Sequence, residues 1–331
     1  MKSAIVLSYI TAFLGVFLAS PAIAGSINHR QLDASLLRLT SGFPGRVGAC
    51  IVDAAGTSCV NANRRFSLQS VMKLIVVLAV LDSVDHHQLM LDDQVVVHSQ
   101  DLSLYVEPIA ELVGSAGYHT TVRDLIHRAV VDSDSAAADM LARRIGGVQQ
   151  VQAFLNKNGI DGIRIDRDER HLQTEIVGLS WLPEYVNPTV LERAIASVPI
   201  QQREAAYHRY QTDVRDTATP LAMASLLQKL ATGKLLTTAS TLFALETMAQ
   251  TATFPDRLKA GVPPGWICMH KTGTSGSWRG VTAATNDVGI LKSPDGTYVS
   301  IAVFVADTRV QPQIRSALMR AISAATVANF H

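Results

Sequence analysis

Hydrophobic and polar positions change their period twice along this chain. Residues 27–39 space apolar side chains three and four apart, as an amphipathic helix does. Residues 45–52 and 57–61 read as two antiparallel strands around a turn at Asp53-Ala54-Ala55-Gly56. From Ser70 to about Leu230 the pattern is mostly helical. Within it, residues 74–81 are unbroken apolar, which suits a helix buried on all sides. Thr121 stands before another apolar-periodic stretch, residues 135–145 are alanine-rich and stop at Gly146-Gly147, and residues 220–231 stop at Gly233. The period then returns to that of strands over residues 267–271, 280–291 and 298–306, with a hairpin turn at 293–297. Residues 312–327 form a closing helix. The predicted class is α/β (α+β): an antiparallel sheet flanked by terminal helices, with a helical block inserted. The sheet-and-helix part takes residues 25–66 and 220–331, and the helical part residues 67–219.

Composition narrows the partners. The 331 residues carry a formal net charge of +1, with 48% hydrophobic and 17% charged residues. That balance gives an ample core and no basic excess for nucleic acid. Lys2, the apolar stretch 4–18 and Pro21-Ala22-Ile23-Ala24 read as a signal peptide, residues 1–24, cut after Ala24. The alternative is an uncleaved anchor, for which the run is short. The mature protein, 25–331, is therefore expected to be secreted into the periplasm, free of the membrane. Export makes the cysteines informative. With Ala54-Ala55 at the hairpin tip, Cys50 faces Cys59 at a non-hydrogen-bonded position, and a cross-strand disulfide follows unless a bulge shifts the register. Cys268 is left over, as a small buried residue. No metal or cofactor is implied: His86 and His87 are adjacent and point apart, and no His-Glu-x-x-His or cysteine cluster occurs.

Three short motifs carry chemistry. Ser70 and Lys73 lie one helical turn apart, at the start of the apolar run. A serine hydroxyl needs a group to take its proton, and a helix N-terminus favours negative charge beside it. Ser133-Asp134-Ser135 precedes the alanine-rich helix, where a plain reading is an N-cap. His270-Lys271-Thr272-Gly273-Thr274 ends a strand, with a glycine where backbone could approach a ligand. Together and in this order, the motifs resemble those of the class A serine β-lactamases and their penicillin-binding relatives. Phe66 before the serine, Tyr105 after Asp101-Leu102, and residues 215–224 and 230–236 fit the same family. So does Arg164-Ile165-Asp166-Arg167-Asp168-Glu169-Arg170-His171-Leu172-Gln173, which is similar to the family's omega-loop motif.

The resemblance implies roles. Ser70 would attack a β-lactam carbonyl, with the backbone N–H groups of Ser70 and Thr274 as the oxyanion hole. Lys73, or Glu169 through a water, would take the serine proton. Ser133 would protonate the leaving nitrogen, and Lys271, Thr272 and Thr274 would hold the substrate carboxylate, with Arg279 as a second cation. Glu169 would activate the deacylating water. A monomer is the family default. Three departures stand out: Ser135 replaces the usual asparagine, Gln173 replaces the asparagine that helps hold the water, and the span 174–212 is far longer than usual. That span contains Trp181, Tyr185, Tyr207 and Tyr210, with helical patterns at 188–196 and 200–211. It reads either as a lid beside the cleft or as a decoration packed elsewhere, and its loss (178–210) is expected to alter substrate range more than stability. The alternatives to a β-lactamase are a D-Ala-D-Ala peptidase or other acyl hydrolase, and a silent β-lactam- or peptidoglycan-binding protein.

Overall fold

The computed structural model describes residues 25–331, so the expected signal peptide lies outside the described residues. Helix α1 (His29–Thr40) leads into β1 (Arg46–Val52) and β2 (Thr57–Val60). These two strands pair so that Cys50 stands opposite Cys59, and the two are disulfide-bonded. A short strand, β3 (Phe66–Ser67), enters a tight turn at Gln69–Val71 and then helix α2 (Met72–Asp85). Ten of the fourteen α2 residues, from Met72 through Leu81, are buried. The element sits inside the helical half as its core, which is why its sequence lacks a polar face.

The helical block also contains a two-stranded sheet, β4 (Gln94–Val97) with β5 (Tyr118–Thr121), in a region whose pattern reads as mostly helical. Helices α3 (Val122–His127), α4 (Ser135–Arg144), α5 (Val148–Lys157) and α6 (Glu169–Ile176) follow. The long insertion supplies α7 (Pro188–Ser197) and α8 (Ile200–Thr212). Strand β6 (Thr217–Ala218) returns to pair with β3, and α9 (Pro220–Ala231) and α10 (Thr238–Ala249) complete the helices before the sheet.

Strand β7 (Ile267–Thr274) carries the lysine motif. The expected strand 280–291 is broken in two. Ser277–Trp278 (β8) and Val281–Thr282 (β9) form a small hairpin, and β10 (Thr285–Lys292) begins after it. Strand β11 (Tyr298–Ala306) and helix α11 (Pro312–Ala328) close the chain. The main sheet runs β2-β1-β11-β10-β7, antiparallel throughout. Val299, Ile301, Val303 and Val305 of β11 pack under α1 and α11, while Ala302, Phe304 and Ala306 face the helical half. Both faces are covered, so the strand reads as a continuous apolar run rather than an alternating one.

Candidate active site

The three motifs meet at the junction of the sheet and the helical half. Ser70 occupies the tight turn before α2, held from β10 by the Asn286 amide, which donates to the carbonyls of Ser67 (2.8 Å) and Leu68 (2.9 Å). Strand β7 lies hard against this turn. A Cβ on Gly273 would come within 2.6 Å of the Leu68 carbonyl and 3.2 Å of the Ser70 nitrogen. The motif glycine therefore lets the sheet's edge approach the serine's own backbone, and this brings Thr274 beside Ser70.

Lys73, 1% exposed, is surrounded by acceptors. Its Nζ donates to the Ser133 carbonyl (2.5 Å) and Ser135 Oγ (2.9 Å), and lies 3.4 Å from Glu169 Oε1. Ser133 reaches its position through strained backbone. A π-turn at Arg128–Asp132 ends in Ser133 with φ 62°, the left-handed region. Its hydroxyl accepts from Lys271 Nζ at 2.8 Å. Burial, reinforced by the charge of Lys73, holds the Lys271 ammonium well below the usual lysine range. Asp134 caps α4 through Ala137 N–H (2.9 Å) and also accepts from Ile109 N–H (2.7 Å), with burial pushing its carboxyl up. The middle motif residue is thus an N-cap, while its two serine neighbours turn toward Lys73 and Lys271.

Glu169 opens α6 and is 2% exposed. Its backbone N–H is fixed by Asp139 Oδ1 at 2.9 Å, and Ser103 Oγ donates to the other Asp139 oxygen at 2.8 Å. Burial and the charges of Asp168 and Glu169 push the Asp139 carboxyl up to about 7. Glu169 Oε2 accepts from Gln173 Nε2 (3.2 Å), which also donates to Gln69 Oε1 (3.1 Å). The substituted glutamine therefore keeps an amide on the carboxylate and spends its extra reach on a second partner. The loop closes at its neck, where Arg167 Nε meets Asp216 Oδ2 at 2.6 Å.

A cleft of ≈ 320 Å³ opens in front of these groups, lined among others by Ser70, Tyr105, Ser135, Glu169, Gln173 and Thr274. That volume suits a small organic ligand. Two residues differ from their expected placement. Thr272 is buried, and its hydroxyl is shared with Thr253 at 2.6 Å. Arg279 does not line the cleft. It sits with Gly280 at the tip of the β8–β9 hairpin, both at positive φ, and its side chain turns outward to Glu204 of α8 at 3.2 Å. The cation behind Thr274 is instead Arg257, 2% exposed, whose guanidinium donates to Thr274 Oγ1 (2.8 Å) and the Asn286 carbonyl (2.9 Å). Burial pushes it down to about 10, which leaves it charged at neutral pH. No local pattern marks Arg257: it stands in an irregular stretch far from the motifs, and only the packing of the strands brings it there.

The insertion straps the cleft from one wall to the other. Tyr185 and Leu191 pack on Leu104, beside Tyr105. Arg170 lies over the Trp181 ring (5.2 Å) and donates to the Leu102 carbonyl at 2.6 Å. At the opposite wall the Tyr207 hydroxyl meets the carbonyls of Gly276 (3.0 Å) and Val281 (2.8 Å) and accepts from Ala283 N–H (3.0 Å). It is neither a detached decoration nor a simple lid.

Comparison with known proteins places this arrangement. The model of the β-lactamase enzyme family matches residues 31–330. β-Lactamase VEB-1 of Pseudomonas aeruginosa is 32% identical over 286 residues, covering 85% of this chain and 84% of that protein. Among solved structures, a β-lactamase from Chitinophaga pinensis DSM 2588 superposes with a TM-score of 0.71 at 30% identity, covering 90% of this chain and 97% of its own. The last common ancestor of Gram-negative bacteria class A β-lactamase GNCA4 gives 0.70 at 28% identity, covering 90% and 98%. Motifs, fold and relatives converge, and the chain belongs to the class A β-lactamase family.

Proposed function

We propose that this protein is a periplasmic β-lactamase that opens the β-lactam amide through an acyl-enzyme on Ser70. The observation that carries the reading is the convergence on Lys73 of Glu169, Ser135 and the Ser133 carbonyl, at the N-terminus of the buried helix that directly follows the serine. The carbonyl and carboxylate partners of Lys73 are those of an ammonium, so Glu169, through a water, is the group free to receive the Ser70 proton in the resting site. The developing oxyanion is met by the N–H groups of Ser70 and Thr274. Ser133, hydrogen-bonded to Lys271, gives its proton to the departing nitrogen and is resupplied along the Lys271–Ser133 contact. The substrate carboxylate is held near Thr274, with Arg257 rather than Arg279 as the second cation. Glu169, oriented by Gln173, then strips a proton from water for deacylation.

Nitrocefin turnover tests this. Ser70→Ala is expected to abolish both acylation and turnover. Glu169→Ala is expected to stop turnover while a covalent acyl-enzyme accumulates, visible as a mass increment. A wild type that acylates once and stops would replace the hydrolase with a binding protein.

A further inference from the structure

A hydrogen-bonded chain runs from the insertion to the general base, and its direction is fixed by chemistry. A carboxylate only accepts, so Glu169 requires Gln173 to present its NH2. The second N–H of that NH2 requires Gln69 to present its carbonyl, and it does. Gln69 must then turn its own NH2 the other way, where it donates to the Tyr210 hydroxyl of α8. The Tyr210 oxygen is thereby an acceptor, and it shares a second hydrogen bond with Ser67 Oγ at 2.8 Å, in which either hydroxyl can donate. Gln69 is 1% exposed and sits at φ 47°, and Tyr210 is 6% exposed, so solvent does not compete for these groups. Burial keeps the Tyr210 phenol protonated far above neutral pH.

We propose that Tyr210 is a positioning residue for deacylation: through Gln69 and Gln173, it fixes which face of each amide is shown to Glu169. The proposal rests on Glu169 acting as the deacylating base. Without the Tyr210 hydroxyl, the Gln69 NH2 loses its hydrogen-bond acceptor. The Gln69 amide is then held only through its carbonyl, and rotation by half a turn, which confronts Gln173 with an NH2, becomes more accessible. Gln173 relieves that clash by rotating too, which points its carbonyl at the Glu169 carboxylate. The consequence is repulsion at the base, and it is felt in the step that needs the water held there. The insertion thus reaches the reaction centre through one phenol, although its helix stands outside the catalytic motifs.

The experiment compares Tyr210→Phe with wild type by stopped-flow acylation and by steady-state turnover. Deacylation is expected to slow by about tenfold or more, with acylation within about threefold, so kcat and KM fall together. Ser67→Ala removes the hydroxyl that anchors Tyr210 and is expected to move the same two rates in the same direction; it carries the test if Tyr210→Phe does not fold. In the double variant Tyr210→Phe/Gln173→Ala, deacylation is expected to equal that of Gln173→Ala, because the route is already cut. Unchanged deacylation in the foldable single variant, or losses that multiply in the double variant, overturn the proposal. Glu169→Ala separates the two levels. If it deacylates like wild type, the reading of Glu169 itself fails. If it traps acyl-enzyme while Tyr210→Phe and Ser67→Ala do not, only the relay fails.

Discussion

Helices α2 and α8 both place polar groups against residues that line the cleft, and they are held in opposite ways. Helix α2 buries every residue from Met72 to Leu81, so the backbone that carries Lys73 is fixed by an apolar core while its Nζ meets Ser133, Ser135 and Glu169. Helix α8 buries only Ala206, Tyr207 and Tyr210, and most of its surface is polar. Two phenol hydroxyls reach across from it to Gly276, Val281, Ala283, Ser67 and Gln69, and its other ties, such as Glu204 to Arg279 and Gln211 to Asp307, are more exposed. Helix α2 is therefore expected to tolerate polar change nowhere along its core. The insertion helix is expected to tolerate change along most of its exposed length and to depend most on Tyr207 and Tyr210.

Removing the insertion is the largest way to break that comparison. Its four buried anchors, Tyr185, Leu191, Tyr207 and Tyr210, cover Leu104 and the back of the catalytic turn. Each such side chain contributes roughly 1.5–3 kcal/mol of burial. Their combined loss approaches the ~5–15 kcal/mol net stability of a typical protein. Deleting residues 178–210 is thus expected to abolish cooperative thermal unfolding, the reverse of the expectation drawn from sequence that substrate range would change first. A deletion variant that melts as sharply as wild type would return the insertion to the status of a decoration. Within α2, Leu78→Ala is expected to cost ~2–5 kcal/mol in denaturant unfolding, whereas Gln201→Ala on the exposed face of α8 stays within ~0.5 kcal/mol.

The same contrast explains what can be read from the sequence. The terminal helices, β1, β2, β11 and α2 announce themselves because one repeating pattern decides their burial. Ser70, Lys73, Ser133, Glu169 and Lys271 are legible because they stand in short motifs with fixed spacing. Gln69, Asn286, Arg257 and Tyr210 are not, since each acts through partners from 17 to 218 residues away. The β8–β9 hairpin is hidden in a run that looks like one strand, because positive φ at Arg279 and Gly280 leaves no mark on hydropathy.

Tyr207→Phe sharpens the comparison at a single hydroxyl. It leaves the buried Ala283 N–H without its acceptor, which is expected to cost ~1–3 kcal/mol. Because Ser275 and Gly276 line the cleft, KM for bulky substrates is expected to rise with kcat retained; a lower Tm with unchanged KM for every substrate would confine the hydroxyl to a structural role. Asp139→Asn probes the α4 side, where a buried carboxyl rather than a phenol holds the Glu169 backbone N–H. The native Asp139 carboxyl sits at about 7 against 3.8 when unfolded, so the folded chain retains a proton that the unfolded chain releases between those values. Its contribution to stability falls as pH rises through that window. The amide of the Asp139→Asn variant keeps an acceptor for the Glu169 N–H and loses the slope. The variant's Tm is therefore expected to gain on wild type between about pH 5 and about pH 8. Parallel pH profiles would show that Asp139 does not titrate there.

The smallest expected effect concerns Arg279, and it is the most discriminating between the sequence's account of the cleft and the folded one. Arg279 pairs with Glu204 at 60% and 34% exposure, an arrangement that water and salt screen. Arg279→Ala is expected to change stability by less than ~1 kcal/mol and KM by less than about twofold. Arg257→Ala, measured beside it, removes the buried charge behind Thr274 and is expected to raise KM for substrates that carry the carboxylate. The pair of variants separates two explanations of the same sequence pattern. If proximity along the chain to Lys271 chose the second cation, Arg279→Ala would carry the larger KM effect. If the antiparallel pairing of β7 and β10 chose it, the effect belongs to Arg257, which no neighbouring motif announces. A β-hairpin of four paired residues, turning Arg279 outward to the insertion, is what decides between them.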